Sequence, residues 1–305
     1  MSTQSAPVPL LFCLDAHPLQ ATLCAGLCAE TGLVETRKFP DGESWLRIGS
    51  EVAGRQCIIL ANLVDPDASY LPLCFLSATL RELQAYSVGL VAPYLCYMRQ
   101  DKRFVTGEAV TSRIFAQLLS QQADWLVTVD PHLHRYHALS EIYSIPTRVV
   151  QAAPALAHWL QTQTNLLLVG PDAESEQWVA AIAQHSGHPY VVGTKQRLGD
   201  RKVVVTLPKL TAYQHCTAVI LDDVIASGHT VLQCMQALQA RGIERISCGC
   251  IHGIFADAID QSLLAGGLQQ LVSTNTVRHA TNQLDVAGLL VPAIREFLPK
   301  APTQV

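Results

Sequence analysis

The segment VILDDVIASGHT, residues 219–230, predicts a buried strand, a short turn and the start of a helix. The apolar run leads directly into two adjacent acids, Asp222 and Asp223, and then into small residues and a helix start near Thr230. Backbone N–H groups and hydroxyls in such a turn, with the partial positive charge of a helix N-terminus, suit a phosphate. The acids suit ribose hydroxyls or a Mg²⁺ ion. Two acids at the end of an apolar strand are costly without such ligands.

The same order, a short apolar run and then a helical pattern, continues on both sides of this segment. Such alternation predicts a largely parallel sheet with helices on both faces. The predicted strands include Leu10–Leu14, Cys57–Asn62, Val88–Ala92, Trp125–Val129, Leu166–Val169, His188–Gly193, Lys202–Leu207, Cys216–Leu221, Ile246–Ile251 and Leu271–Ser273. The fold class is therefore α/β, with two similar domains. We expect an N-terminal domain over 1–145, a C-terminal domain over 146–283, and a C-terminal helix and tail over 284–305 that packs on the N-terminal domain.

Composition limits the class of protein. The chain has 305 residues, a formal net charge of −4, 49% hydrophobic residues and 15% charged residues. Typical soluble domains carry about 25% charged residues, so this chain is too apolar to be disordered. The low charge predicts much hidden surface, either in strands buried on both faces or in a subunit interface. The mild acidity gives no electrostatic footprint for duplex nucleic acid.

Targeting signals, membrane spans and zinc ribbons are not predicted. The first basic residue is Arg37, and no apolar stretch reaches about 18 residues. The ten cysteines lie mostly inside apolar runs and form no C-x2-C pair. These features predict reduced core thiols in a cytoplasmic protein without a membrane partner.

Three further polar clusters are candidates for ligand binding. Arg99, Lys102 and Arg103 concentrate cations that suit a polyphosphate, although a solvated basic loop has the same composition. A second cluster, Phe39 with Asp41 and Glu43, could clasp a purine, although a tight surface turn is the more common meaning of this pattern. The third cluster contains three histidines whose spacing gives no standard zinc site, namely His132, His134 and His137.

Together these motifs resemble the ribose-phosphate pyrophosphokinases, the synthetases of phosphoribosyl pyrophosphate. The 219–230 segment is similar to a phosphoribosyl-pyrophosphate loop, and residues 93–104 are similar to the family's ATP-binding signature. Further similar segments are 39–43, 130–132, 251–255 and 274–276, while Gly107, Glu108 and Ser112 point to the archaeal-type branch. The resemblance covers residues 10–295 and implies two phosphoribosyltransferase-like domains.

The resemblance implies transfer of the diphosphoryl group of Mg·ATP to the C1 hydroxyl of ribose 5-phosphate. Its implied ATP-binding residues are Phe39, Asp41, Glu43, Arg99, Gln100, Asp101 and His132. Its implied ribose 5-phosphate ligands are Asp172, Asp222, Asp223, Ala226, Ser227, Gly228, His229 and Thr230. His132 and Asp172 would hold Mg²⁺, and Lys195 with Arg197 would be catalytic on a flexible loop. It also implies a homo-oligomer, a dimer or larger, in which the 39–43 loop completes a neighbour's site.

Several residues depart from the family pattern. Glu174 and Ser175 stand near positions where glycines are common, Ala226 and Ser227 replace more usual residues, and His229 stands where glycine is usual. The mapped catalytic positions keep suitable residues, so we expect an active enzyme. Three alternatives stay open: a phosphoribosyltransferase, a catalytically silent regulatory subunit, and an enzyme acting on another sugar phosphate.

Overall fold

The computed structural model describes residues 7–197 and 203–298 and, at 195–197 and 203–204, the backbone alone. The chain divides into two compact units. Unit 1 runs up to Val150 and also includes the last helix from Ala287 onward, and unit 2 is Gln151–Val286. Each unit has its own six-stranded sheet. The predicted α/β fold class is thereby confirmed.

Unit 1 alternates strands and helices, with one hairpin inserted between its second and fifth strands. Its elements are β1 (Leu10–Cys13), α1 (Gln20–Leu27), β2 (Glu30–Thr31), β3 (Val34–Lys38), β4 (Ser44–Ile48), β5 (Gln56–Leu60), α2 (Pro66–Glu82), β6 (Ser87–Ala92), α3 (Thr111–Ser120), β7 (Trp125–Val129) and β8 (Thr147–Val150). The parallel sheet has the order β2-β1-β5-β6-β7-β8, and β3 pairs antiparallel with β4.

Unit 2 repeats this plan. Its elements are α4 (Ala153–Gln161), β9 (Leu166–Gly170), α5 (Glu176–Ser186), β10 (Tyr190–Val192), β11 (Thr194–Arg197), β12 (Val203–Thr206), β13 (Thr217–Ile225), α6 (His229–Gln239), β14 (Ile246–Gly253), α7 (Ile259–Ala265), β15 (Leu268–Thr274) and β16 (Asn282–Leu284). The parallel sheet has the order β10-β9-β13-β14-β15-β16, and β11 pairs antiparallel with β12. The two units therefore share strand order and the position of the hairpin.

The central strands are buried on both faces. All five residues of each of β5, β7 and β9 are buried. Strands of this kind, continuously apolar rather than alternating, are typical of parallel sheets covered by helices on both sides. This burial explains why the apolar runs of the sequence located the strands.

The last helix, α8 (Ala287–Arg295), belongs to unit 1, where it contacts α1, β7 and β8. Arg295 donates a hydrogen bond to the carbonyl of Gly26 at 2.6 Å, and Phe297 stacks on Trp125 with ring centroids 5.0 Å apart. The helix occupies only part of the 284–305 segment predicted to hold a helix and tail. A further difference is the β3–β4 hairpin, which the apolar pattern did not predict.

Candidate active site

The acids of unit 2 gather at one edge of its sheet. β9 and β13 run parallel, with Val169 opposite Ile220, so the turn after β9 lies beside the acidic end of β13. Asp172, Asp222 and Asp223 are all half-buried there. Ligands of open α/β sheets bind outside the carboxyl ends of strands. This edge of the unit 2 sheet provides three carboxylates that could contact such a ligand.

Strand β13 is longer than predicted. It continues to Ile225 because its pairing with β14 extends through Val224 opposite His252 and Ile225 opposite Gly253. Its pairing with β9 stops at Ile220. Asp222 and Asp223 therefore lie within β13 but beyond the end of its partner β9, which leaves them beside an opening in the sheet.

Local hydrogen bonds fix these carboxylates. Asp172 Oδ1 accepts from the N–H of Glu174 at 3.1 Å and of Ser175 at 3.3 Å, so it caps the short turn that follows. Asp222 Oδ1 accepts from the N–H of Asp223 at 3.0 Å, and Asp223 Oδ1 accepts from the N–H of Val224 at 2.8 Å. Each acid is held by backbone close to it.

The thiol of Cys234 in α6 is buried. Burial raises the pKa of this thiol, and the negative charges of Asp222 and Asp172 raise it further.

A glycine that accepts no side chain shapes the turn between β13 and α6. Gly228 has φ +65°, and a Cβ there would lie 2.3 Å from Cγ1 of Ile259. α6 begins at His229, whose side chain is exposed, as is that of Ser227. Ala226 and Thr230 are half-buried. The turn thus presents a helix N-terminus and hydroxyls in the arrangement that suits a phosphate.

Lys195 and Arg197 lie in β11 rather than on the loop that the resemblance implies. β11 pairs antiparallel with β12, with Lys195 opposite Val205 and Arg197 opposite Val203. The β-branched run from Val203 to Val205 favours a strand and supplies the partner. The side chains of Lys195 and Arg197, and residues 198–202, lie outside the described part of the structure.

Unit 1 carries the basic loop after β6. Arg99, Lys102 and Arg103 are exposed, and Gln100 is half-buried. The loop is held from within, because Glu108 Oε2 accepts from the N–H groups of Phe104 at 2.7 Å and Val105 at 2.9 Å. A fixed loop with several exposed cations suits a polyphosphate. For Glu108 itself, this contact gives a structural role within the loop.

Asp101 is buried, unlike the exposed cations beside it. Its side chain is 1% exposed and forms an ion pair with Arg135, Nη1 to Oδ1, at 2.6 Å. The hydroxyl of Tyr136 also donates to the carbonyl of Asp101 at 3.3 Å and lies 3.1 Å from Oγ of Ser112. These contacts join the loop after β6 to the loop after β7.

Arg135 is not among the candidate site residues predicted from the sequence. Its side chain is 46% exposed, and its guanidinium carbon lies 5.8 Å from the ring centre of Phe104, above which Lys102 Nζ lies at 4.9 Å. Lys102 and Arg135 thus share the ring of Phe104, and the buried carboxylate of Asp101 pairs with Arg135. In the sequence, the only feature that could have indicated Arg135 is its position three residues after His132.

His132 and His134 lie together on the loop after β7. Their Nε2 atoms are in hydrogen-bond contact and their rings are edge to face, with centroids 3.8 Å apart. In this contact one Nε2–H donates a hydrogen bond, and the Nε2 atom of the other histidine accepts it. His132 is half-buried, while His134 and His137 are exposed.

The donor set fits Mg²⁺ bound together with a substrate. Within residues 7–197 and 203–298 no three histidine, cysteine or acidic side chains are grouped so as to hold a metal ion. Mg²⁺ usually keeps several waters and is bound by one or two carboxylates plus substrate phosphates. The half-buried carboxylates of Asp172, Asp222 and Asp223 are oxygen donors of this kind.

The 39–43 loop is the tip of the β3–β4 hairpin, and all of its residues are exposed. Phe39 N–H donates to the carbonyl of Glu43 at 2.8 Å, and Glu43 N–H donates to Oδ1 of Asp41 at 3.2 Å. The guanidinium of Arg37 lies 4.5 Å from the ring centre of Phe39. The tip is therefore a built turn that displays one aromatic ring and two acids.

Two family models match the chain. One describes the N-terminal domain of ribose phosphate pyrophosphokinase and matches residues 10–122, and the other describes a phosphoribosyl transferase domain and matches residues 138–263. A ribose-phosphate pyrophosphokinase of Methanobrevibacter smithii is 30% identical over 276 residues, which are 86% of this chain and 92% of the relative. This chain belongs to the ribose-phosphate pyrophosphokinase family.

Other members of the family are similar over almost their whole length. The ribose-phosphate pyrophosphokinase of Methanothermobacter thermautotrophicus is 27% identical over 288 residues. The aligned residues are 94% of this chain and 100% of that relative. The crystal structure of phosphoribosylpyrophosphate synthetase from Mycobacterium smegmatis matches with a TM-score of 0.81, at 23% identity, over 95% of this chain and 98% of that one. The fold and the family named from sequence motifs are both confirmed. No helix in the described part of the chain is long and apolar enough to cross a membrane.

Proposed function

We propose that this chain is an ATP:ribose-5-phosphate diphosphokinase. The oxygen of the C1 hydroxyl attacks the β-phosphorus of ATP, the bond from that phosphorus to the α–β bridging oxygen breaks, and AMP leaves. The hydroxyl proton is released, and the product is phosphoribosyl pyrophosphate. Family membership over 92% of a relative carries this proposal, together with the acid–turn–helix of unit 2.

Unit 2 binds the sugar phosphate. The 5-phosphate sits at the turn of Ser227, Gly228 and His229, where N–H groups and the helix N-terminus face an anion. Asp222 and Asp223 accept hydrogen bonds from the ribose hydroxyls. These contacts orient the C1 hydroxyl for in-line attack, which lowers the barrier through positioning.

Unit 1 binds ATP through the loops after β6 and β7. Arg99, Lys102 and Arg103 contact the polyphosphate, and the buried carboxylate of Asp101 positions Arg135 to add a fourth cation. His132 and Asp172 are the residues that would hold Mg²⁺, and the ion would supply charge neutralisation for the triphosphate. Phe39, Asp41 and Glu43 recognise the adenine.

Lys195 and Arg197 stabilise the transition state. The transferred group carries negative charge over its equatorial oxygens as the bonds change, so positioned cations act mainly at that point. Covalent attachment to the enzyme is not needed. Because Lys195 and Arg197 match the two basic positions of the family's catalytic pair, we favour an active enzyme over a silent regulatory subunit.

One incubation tests the function directly. Purified protein is mixed with Mg·ATP and ribose 5-phosphate, and products are followed by ³¹P NMR. We expect AMP and ribose 5-phosphate carrying a diphosphate at C1, in equal amounts. ADP with a ribose bisphosphate, or no reaction, contradicts the proposal. Reaction of phosphoribosyl pyrophosphate with free bases would instead show a phosphoribosyltransferase, and the same assay with other pentose phosphates tests sugar choice.

The two halves of the site should respond differently to substitution. Asp223→Ala should weaken ribose 5-phosphate binding while ATP affinity stays nearly unchanged, because its carboxylate serves the sugar. Arg99→Ala should do the reverse, because its cation serves the polyphosphate. Isothermal titration of each variant with each ligand checks this, and the reversed pattern would refute the assignment.

Arg135→Met should weaken ATP binding about tenfold or more, because hydrogen bonds to charged groups contribute about 1.5–3 kcal/mol. Ribose 5-phosphate affinity should not change, and Arg135→Lys should restore part of the ATP affinity. Arg113→Met, another exposed arginine of unit 1, is the matched control. Equal ATP affinities in Arg135→Met and Arg113→Met would show that Arg135 has no role at the polyphosphate.

We further propose that the chain forms a homo-oligomer, a dimer or larger, through unit 1. Of the 13 exposed large hydrophobic side chains among the described residues, all but Tyr190 and Leu264 belong to unit 1. On α3, Ile114 and Leu118 are 51% and 37% exposed and lie one turn apart. A concentration of this kind on one unit favours an interface. In that assembly the 39–43 tip would reach a neighbour's ATP site.

Light scattering after gel filtration should give at least twice the mass of one chain. Ile114→Glu with Leu118→Glu should lower that mass, since two charges would be buried in an apolar contact. Tyr190→Glu, on unit 2, is the control. A fully active monomer would contradict both the oligomer and the shared site.

A cytoplasmic location also belongs to the proposal. All ten cysteines are free thiols. Burial raises the pKa of Cys13 to about 12 and that of Cys57 to about 11, which keeps both thiols protonated and unreactive at neutral pH. Chains with many inert free thiols suit a reducing compartment.

A further inference from the structure

Unit 1 contains a cleft of about 480 Å³ that the proposed reaction does not use. The turns after β1 and β5, the first half of α2 and one face of the β3–β4 hairpin line this space. We call it the hairpin cleft. Its volume lies in the range of small-molecule sites, about 300–1,000 Å³.

The hairpin cleft lies at the topological switch point of its sheet. From β1 the chain first adds β2 on one side and later β5 on the other, so the carboxyl ends of β1 and β5 flank a crevice. Open α/β sheets bind ligands at such a crevice. In unit 2 the same point lies between β9 and β13, where the acids of the sugar-phosphate site are found.

The hairpins reinforce this correspondence. β3–β4 follows β2 in unit 1, and β11–β12 follows β10 in unit 2. The second strand of each hairpin packs on the helix after the switch point, β4 on α2 and β12 on α6. The hairpin cleft is therefore the unit 1 counterpart of the space between the β11–β12 hairpin and the acids of unit 2.

Hydrogen-bonding groups stand at equivalent strand ends. Asn62 lies two residues beyond Leu60, the last residue of β5 paired with β1, as Asp222 lies two beyond Ile220. Asn62 Oδ1 accepts from the N–H of Val64 at 3.3 Å, which leaves its NH₂ group to donate. Asp15, just after β1, and Asp65, just before α2, add carboxylates at the cleft wall. Carboxylates and an amide suit sugar hydroxyls.

A cation lies on the opposite wall. Thr36, Lys38, Ser44 and Leu46 share one face of the hairpin, and Leu46 packs against the core of unit 1, so this face looks toward α2. Lys38 Nζ donates to Oγ of Ser44 at 2.7 Å and forms no ion pair with any residue that the structure describes. The start of α2 does not suit an anion, since it contains Pro66 and the acidic Asp67. A phosphate would therefore be bound at Lys38.

The remaining wall is apolar. Leu46, Leu63, Pro72 and Leu73 line it. We propose that the hairpin cleft binds a ribose 5-phosphate moiety, either free or within a nucleoside monophosphate, with the phosphate at Lys38 and the hydroxyls at Asp15 and Asn62. The apolar wall gives a nucleobase a place to pack. This proposal stands independently of the catalytic function.

Calorimetric titration of the full chain tests it. The background variant is Arg99→Ala with Asp223→Ala, which weakens both substrate sites proposed above. AMP and ribose 5-phosphate are titrated separately into this background, then into the same background carrying Lys38→Met or Asp15→Ala. Arg47→Met is the matched control. Arg47 is on β4 of the same hairpin but does not line the cleft, and its guanidinium forms an ion pair with Glu35 at 3.2 Å.

We expect one ligand per chain in the background, with Kd raised at least tenfold by Lys38→Met and by Asp15→Ala and unchanged by Arg47→Met. Tighter binding of AMP than of ribose 5-phosphate identifies the nucleotide as the ligand, and equal binding identifies the free sugar phosphate. Absence of saturable binding of both ligands would overturn the proposal. So would a Kd unaffected by Asp15→Ala, whose exposed position makes a folding defect avoidable, with thermal melting as the check. These outcomes do not depend on whether phosphoribosyl pyrophosphate is made.

Discussion

Replacing Lys195 with alanine is expected to lower kcat for diphosphoryl transfer by roughly 10²–10³ or more. In the proposed mechanism the ammonium acts where negative charge develops in the transition state, so its loss should affect the chemical step before it affects substrate binding. ATP affinity should therefore stay nearly unchanged. AMP release under saturating substrates gives kcat, and titration with ATP gives the affinity.

Two companions make this measurement specific. Lys209→Ala removes an exposed cation of unit 2 outside the hairpin and should leave kcat unchanged. Lys195→Arg keeps the charge and should retain more activity than the alanine variant, although the two cations place their donors differently. An unchanged kcat in Lys195→Ala would show that β11 does not supply the catalytic cation.

The sheets were predictable because their strands are continuous apolar runs. The Trp125–Val129 strand was predicted with the bounds that the structure has, and Val88–Ala92 differs from β6 by one residue. In both, burial on two faces demands apolar residues at consecutive positions, and the sequence shows this directly. The fold class follows from repetition of such runs.

The β3–β4 hairpin was not predictable in the same way. Its first strand, VETRK, has four exposed residues and is rich in charge. It is held by cross-strand pairs, such as Glu35 with Arg47 and Arg37 with Trp45, whose partners are visible only once the register is known. The hairpin cleft was equally hidden, since it depends on where this hairpin packs.

The residues of the candidate site also differ in whether the sequence alone could identify them. Asp222, Asp223 and Gly228 could be identified as candidates from the sequence because neighbouring residues carry the whole signal. The proposed role of Arg135 could not, because its partner Asp101 is 34 residues away and the pair forms only when the loops after β6 and β7 meet. The burial of Asp101 was hidden for the same reason, whereas the family resemblance implied that Asp101 binds ATP.

Gly228→Ala is the structural substitution with the largest expected effect on ribose 5-phosphate binding. A residue with a Cβ disfavours the left-handed conformation that φ +65° requires, by about 1–2 kcal/mol. Its Cβ would also lie 2.3 Å from Cγ1 of Ile259, and such overpacking costs about 1–3 kcal/mol. The turn should relieve both by moving, which carries its N–H groups away from the phosphate. Ribose 5-phosphate affinity should fall at least tenfold.

Three comparisons separate the causes. Gly242→Ala shares the positive φ, at +79°, but its nearest neighbour is Nε2 of Gln214 at 3.6 Å, so it should be destabilised without losing ligand. Ile259→Ala added to Gly228→Ala makes room for the Cβ and should recover part of the affinity, while the backbone strain remains. ATP affinity should be the same in all of them, because the proposed ATP site lies in unit 1. If calorimetry finds wild-type ribose 5-phosphate affinity in Gly228→Ala, the 5-phosphate is not bound by this turn, and the assignment of residues 226–230 fails with it.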